Sequence, residues 1–332
     1  MTQTPWQREL SRAITKPEAL LAALGLDPKL LAPTSAGAEA FSLRVTHSFL
    51  ARMRHGDIDD PLLRQVLPRV DELIEREGYG ADPLDERAAT RAPNLLQKYA
   101  GRALLITTEA CAIHCRYCFR RDFPYSAQEA AQGATPGRWG AALAAIAADE
   151  SLEEVILSGG DPLSLSDTRL RELTDAICAM PHVQRIRVHT RQPIVLPARV
   201  DEGLLAWLRS VRLPMVMVLH INHPNEIDAE VRAACARLRS TGMTLLNQSV
   251  LLRGVNDDVE TLAGLSRALM DAGVLPYYLH LPDRVRGTAH FDVEESLAKD
   301  LVRQLSASLS GYLVPRLVRE IPGADSKVPV SP

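Results

Sequence analysis

From about residue 100 onward, short apolar runs alternate with amphipathic segments, and this alternation limits the possible folds more than any other feature of the chain. Strand-like runs fall at 103–107, 154–158, 185–190, 215–221, 244–252 and 275–281. Helical patterns fall between and after them, at 138–149, 167–179, 201–210, 226–240, 257–271 and 293–310. Strand-then-helix units in series predict a parallel sheet with crossover helices. Met215-Val216-Met217-Val218-Leu219 is continuously apolar, as a strand covered on both faces requires. Six units are too few to close an eight-stranded barrel, so the expected α/β fold is a partial (β/α)6 barrel with an open seam. Upstream, helical signals and breakers dominate. Pro17 opens a helical stretch, Phe41, Val45, Phe49 and Met53 recur four apart and predict a helix over 41–54, and Pro61 to Leu67 continues the pattern. The expected organisation is a mainly helical appendage at 1–97, the partial barrel at 98–312 and a C-terminal segment at 313–332.

With 332 residues the chain can bury a large core. A net charge of −3 gives no electrostatic case for nucleic acid or an anionic membrane. No apolar run approaches the ~20 residues of a membrane span, and Met1-Thr2-Gln3-Thr4-Pro5-Trp6 lacks a signal-peptide pattern. Five cysteines, an odd number without framework spacing, point to a reducing cytoplasm. Cys178 and Cys235 lie in helical patterns and read as small core residues.

The other three cysteines follow the first strand, in Cys111-Ala112-Ile113-His114-Cys115-Arg116-Tyr117-Cys118. In an α/β barrel, chemistry sits at the C-terminal ends of strands. Three thiolates can hold three corners of a four-iron cluster and leave one iron open, where four cysteines would close it. An open iron is where S-adenosylmethionine binds in radical enzymes, so the triplet points to radical chemistry. A zinc site needs a fourth ligand, and His114 lies awkwardly between the first two thiols. A disulfide would strand one cysteine.

The later strands end in polar residues. They give Ser158-Gly159-Gly160-Asp161, His189-Thr190-Arg191, His220-Ile221-Asn222, Asn247-Gln248-Ser249, and His280 followed by Asp283. Gly159 and Gly160 either let the backbone approach a ligand or form a plain tight turn, and Asp161 could accept from an ammonium group. Polar residues recurring at one end of the sheet suggest a ligand-lined mouth. Arg116, Arg120 and Arg121 crowd the cysteine loop, either as a solvated surface or as carboxylate binders. Lys327, near the chain end, reads from composition alone as a tail lysine.

Taken together, these residues resemble the lysine 2,3-aminomutases, a branch of the radical S-adenosylmethionine superfamily. The likeness runs from about residue 40 to the end. It rests on the cysteine triplet with Arg120-Arg121, Ser158-Gly159-Gly160-Asp161-Pro162-Leu163, and Thr190-Arg191-x-Pro193-Ile194-Val195-x-Pro197-x-Arg199. It also rests on His220-Ile221-Asn222-His223-Pro224-Asn225-Glu226 and on the block from Asn247 to Asp257. The resemblance implies a [4Fe-4S] cluster on Cys111, Cys115 and Cys118, S-adenosylmethionine near the motifs of Ser158, Gly159, Gly160, Asp161, His220, Asn222, Asn247 and Gln248, and pyridoxal phosphate on Lys327 as a Schiff base. It further implies Arg120 on a substrate carboxylate, Asp283 on a distal ammonium, Glu320 as a second acid, and Lys98, Tyr99 and Arg102 on the phosphate side. L-Lysine is the implied substrate and (R)-β-lysine the implied product. A C-terminus five residues beyond Lys327, with the segments Asp60 to Leu67 and Arg120 to Tyr125, is similar to the short bacterial branch that serves elongation factor P modification through a separate ligase. A homo-oligomer is compatible with such a chain. The alternatives are a catabolic lysine enzyme, a glutamate 2,3-aminomutase (disfavoured by the acidic Asp283), an iron–sulfur electron carrier, which would want a fourth thiolate, and an elongation factor P binding module, which would not need a cluster.

Overall fold

The computed structural model describes residues 3–31, 41–125 and 137–331. Its centre is a single ten-stranded sheet whose spatial order follows the chain. Strands β1 (Thr90–Ala92) and β2 (Leu95–Tyr99) form an antiparallel hairpin against β3 (Arg102–Thr108). Strands β3, β4 (Glu154–Gly159), β5 (Arg185–Thr190), β6 (Met215–Leu219), β7 (Thr244–Val250) and β8 (Leu275–His280) are parallel throughout. A helix follows each of these, at Gly140–Ala148, Asp167–Cys178, Glu202–Ser210, Ala229–Arg239, Val259–Asp271 and Glu295–Ser308. The expected βα series is present. The sheet then continues past it. β9 (Arg316–Arg319) joins β8 in parallel, and β10 (Val328–Pro329) folds back on β9, so residues after 313 extend the same sheet.

Local chemistry sets the helix starts. Ser166, Asp201, Asp228 and Asp258 each accept a backbone N–H from the first turn of the helix that follows. Those helices bury apolar rows such as Leu170, Leu173 and Ile177, or Leu262, Leu265 and Leu269. Val155 and Leu157, Ile186 and Val188, Met217 and Leu219, and Leu245 point into that helix-covered core. Because strand side chains alternate, Ser158, His189, His220, Gln248, Tyr278 and His280 face the other way, into the concave side. Lys98 on β2 and Glu320, just after β9, lie 2.9 Å apart although their strands stand near opposite ends of the sheet order. The sheet therefore curls until its ends meet through side chains, without a closing ladder among the described residues.

The N-terminal residues are less helical than their periodicity predicts. Helices cover Pro5–Ser11, Pro17–Ala23, His47–Leu50 and Pro61–Arg64. The helix expected over 41–54 shrinks to His47–Leu50. Val45 is extended and exchanges backbone hydrogen bonds with Ile14, and Thr46 caps the helix by accepting from Phe49 N. The four-apart spacing still found the buried side chains Val45, Phe49 and Met53. They join Trp6, Leu20, Leu62 and Leu63 in a core that also contains Ala112 and Ile113 of the cysteine loop. No helix among the described residues is long and apolar enough to cross a membrane.

Candidate active site

The cysteine loop leaves β3 and is held from both sides. Arg116 N donates to Gln65 O at 2.8 Å, and His114 N donates to Arg44 O at 3.0 Å. The buried Arg116 guanidinium grips Glu72 through two nitrogens, and Arg121 reaches the same carboxylate at 3.0 Å. On the barrel side, Gly159 has φ +120°, and a Cβ there would lie 2.6 Å from Thr108 O. A Cβ on Gly160 would lie 2.5 Å from Ala110 O. These glycines are required because the backbone leading to Cys111 packs against them. Burial pushes the Cys111 thiol well up and that of Cys118 up to about 11, helped by the neighbouring thiols. A bound metal would offset that cost, since it takes the thiolate form, and a four-iron cluster takes one thiolate per iron. Among the described residues no three His, Cys, Asp or Glu side chains gather to hold a single metal ion. Cys235 is buried within its helix and Cys178 ends another, so neither lies on this loop.

A ladder of alternating charge crosses the mouth. Lys327 Nζ lies 2.5 Å from Glu320 Oε2, and Glu320 Oε1 lies 2.9 Å from Lys98 Nζ. Lys98 also reaches Glu86 at 3.1 Å. Glu86 accepts Arg120 Nε and Nη2, each at 2.8 Å, and Arg120 Nη1 donates to Ser158 Oγ at 3.1 Å. Among the described residues three of the five guanidinium N–H donors are used, which leaves one on each terminal nitrogen for a carboxylate. Arg102 stacks over the Tyr99 ring, and Lys327 Nζ sits 5.9 Å from the Tyr278 ring centre. Burial opposes ionisation of Glu320, but Lys327 and Lys98 override it and hold its carboxyl well below the ordinary range. Asp283, half-buried, behaves oppositely. Burial and the nearby Glu320 charge push it up to about 7 against the pull of Lys327 and Lys98.

Three histidines line the concave face. Gln248 Nε2 donates to His220 Nε2 at 3.1 Å. Burial, then the neighbouring cations, holds His220 down to about 3 and keeps His189 and His280 neutral as well. His189 Nε2, His280 Nε2 and Arg191 Nε are buried without a hydrogen-bond partner among the described residues. Unmet polar atoms inside a charged mouth fit a polar ligand there.

The structure thus brings Lys327, Glu320, Lys98, Tyr99, Arg102, Arg120, Ser158 and Asp283 together, beside the three cysteines. It gives other candidates internal tasks. Both Asp161 oxygens are taken, by Thr190 Oγ1, Arg191 N, Gln192 N and Leu163 N. Asp161 therefore shapes the turn after β5, where an ammonium acceptor was one expectation. Asn247 lies on the helix-covered side and binds Ile221 N and O. Asn222 bridges Gln65, Tyr117 and Val250. Sequence reasoning missed Glu86, whose partners come from distant segments. It also missed the pairing of Arg191 with Glu226 at 2.9 Å, although two opposite charges in neighbouring strand-end motifs are a usable signal.

Residues 105–265 match the sequence family described as the Radical SAM superfamily. A protein of Escherichia coli K12 named L-lysine 2,3-aminomutase is 49% identical over 327 residues, covering 98% of this chain and 94% of its own. A Haemophilus influenzae protein of the same name is 45% identical over 325 residues, covering 97% and 94%. A crystal structure of a radical SAM methyltransferase from Sphaerobacter thermophilus aligns with TM-score 0.43 at 16% identity over 68% of each chain. With its cysteine loop at the mouth of an open, mostly parallel sheet, this is a radical SAM protein, a class defined by a four-iron cluster and S-adenosylmethionine. Within that class the chain belongs to the L-lysine 2,3-aminomutase family and is an isomerase.

Proposed function

We propose that the protein converts (S)-α-lysine to (R)-β-lysine and uses pyridoxal phosphate as its second cofactor. The observation that carries this reading is the ladder of charges across the mouth. An open guanidinium edge on Arg120 stands at one end, and the acids Glu320 and Asp283 accompany Lys327 at the other. A substrate with a carboxylate at one end and an ammonium at the other suits such a mouth; a second carboxylate in place of the ammonium would meet acids. The names of the relatives support the same substrate.

Cys111, Cys115 and Cys118 would hold the cluster, and Lys327 the pyridoxal, with Lys98, Tyr99 and Arg102 supplying the phosphate side. S-Adenosylmethionine, with the cluster, would supply a radical able to remove hydrogen from carbon. Pyridoxal phosphate would supply a conjugated π system able to stabilise radical character. The chain's own contribution is position. Glu86 aims Arg120 by taking its inner edge, so the outer edge fixes the substrate carboxylate. Asp283 and Glu320 fix the side-chain ammonium, so one carbon is presented for hydrogen removal. Glu320 keeps Lys327 in place through their 2.5 Å contact.

We further infer that the product serves elongation factor P through a separate ligase, in the cytoplasm. The Asp60 to Leu67 and Arg120 to Tyr125 segments support this, as do five cysteines that are all unpaired. The direct test is anaerobic reconstitution with iron and sulfide, then dithionite, S-adenosylmethionine, pyridoxal phosphate and L-lysine. Chromatography is expected to show β-lysine of R configuration. Turnover of glutamate without lysine overturns the substrate assignment. Deleting the gene in a host that has the ligase is expected to remove the β-lysyl mass from elongation factor P, and an unchanged mass overturns that role.

A further inference from the structure

We propose that Arg191 is a positioning residue for the cluster, fixing the Cys115 corner and setting the ease with which the cluster is reduced. The inference rests on the triplet binding four irons. Arg191 stands directly after β5 and is 6% exposed. Its Nη1 donates to Cys115 Sγ at 2.8 Å and to Tyr117 Oη at 2.7 Å. Its Nη2 donates to Gln65 Oε1 at 2.7 Å and Glu226 Oε2 at 2.9 Å. Asp161 holds its backbone N–H at 2.7 Å. The fork therefore has one fixed pose, with a sulfur under one tine.

The partners are equally constrained. Asn222 Nδ2 donates to Tyr117 Oη at 2.7 Å, which leaves the phenol hydrogen for Cys115. Gln65 Nε2, Asn222 N and His223 N converge on Glu226 Oε1. One end of this network is the N-terminal region and the other is a cluster ligand. Cys118 receives a backbone N–H from Arg120 and feels the charges of Arg120 and Arg121, whereas Cys115 has a guanidinium N–H directly on its sulfur. Hydrogen bonds and positive charge at ligand sulfur stabilise the more negative, reduced cluster and raise its potential. Arginine stays protonated at every working pH, so the effect does not switch off. Lysine would keep the charge and lose the fork.

R191Q, R191K and Y117F are reconstituted anaerobically beside wild type. Iron and sulfide are counted, and the reduced signal is followed by electron paramagnetic resonance in a redox titration. R191Q is expected to move the midpoint potential to more negative values and to weaken iron retention against a chelator about 10- to 100-fold. R191K restores part of the potential, and Y117F shifts it the same way as R191Q by less. Full iron content with a wild-type potential in both R191Q and Y117F overturns the inference. Should R191Q fail to fold, R191K and Y117F decide it, and wild-type potentials in both overturn it. A wild-type protein that cannot be loaded with four irons overturns the cluster reading itself, a separate outcome.

Discussion

Two buried charge networks flank the same loop and are built differently. In the anchor behind the cysteines, Arg116 and Arg121 share Glu72, and Arg191 rests on Glu226. Each cation there has a carboxylate of the chain in direct contact, and backbone groups fill much of the remainder. In the mouth, Glu320 is shared between two lysines, Arg120 keeps an open edge, and Asp283 is pushed toward neutrality. A buried network in which every charge is paired gives little net stability but is costly to break, because a lone charge is left in a poor solvent. An unsaturated one can trade partners with a ligand. The first network is built as scaffold and the second is the proposed binding surface, although both are built largely from Arg, Lys and acidic side chains.

Substitutions in the two networks are therefore expected to fail in different ways. The largest loss of activity is expected from Lys327→Ala, which removes the proposed covalent anchor of pyridoxal phosphate. Turnover falls to background and borohydride no longer traps pyridoxal on the chain, while iron content is unchanged. Covalent trapping that survives the change removes Lys327 from the site. Next is Glu72→Ala, which strips Arg116 and Arg121 at once. Breaking a buried pair from one side costs about 3–5 kcal/mol, read as a lower urea midpoint together with poor iron loading. An unaltered midpoint would put Glu72 outside the scaffold. Smaller still is Asp283→Asn. A hydrogen bond to a charged group is worth about 1.5–3 kcal/mol, so KM for lysine rises about 10- to 100-fold while iron and pyridoxal binding persist. An unchanged KM would make Asp283 a bystander.

The same contrast shows what was legible beforehand. The six βα units were readable because their strands carry apolar runs and four of their helices start on Ser or Asp caps. β1, β2, β9 and β10 were not, since Thr90–Ala92, Leu95–Tyr99, Arg316–Arg319 and Val328–Pro329 are two to five residues long and offer little period to count. Phe41 to Met53 displayed helical spacing, but the pairing of Val45 with Ile14, a tertiary contact, kept its first half extended. At the site, the cysteines were marked by their spacing, and Arg120 and Lys327 were singled out by the family resemblance. Glu86 was not, because nothing near it in the chain marks an acid that must neutralise Arg120 and Lys98 from a distance. The glycines at 159 and 160 were recognised, but their reason was not: the close neighbour is the chain's own backbone.

The gentlest way to separate the two networks is pH. Glu320, held low by Lys327 and Lys98, stays ionised through neutrality, and His189, His220 and His280 stay neutral there. Asp283, near 7, is the group among these that changes charge between pH 6 and 8. The lysine ammonium keeps its proton over that range, with a free pKa of about 10.4. Ionised Asp283 attracts it, so the dissociation constant for lysine should fall about tenfold from pH 6 to 8, most steeply below 7. Stability should move the other way. The folded chain holds a proton on Asp283 up to about pH 7, whereas the unfolded chain releases it near the ordinary carboxyl value of about 3.9. The contribution of this group is therefore complete at low pH and is lost as pH rises through about 7. Calorimetric titration and thermal melts across this range should show the two opposed slopes, and Asp283→Asn should flatten both. A variant that keeps either slope would assign that pH dependence to another group, and the mouth would then be as saturated as the anchor behind it.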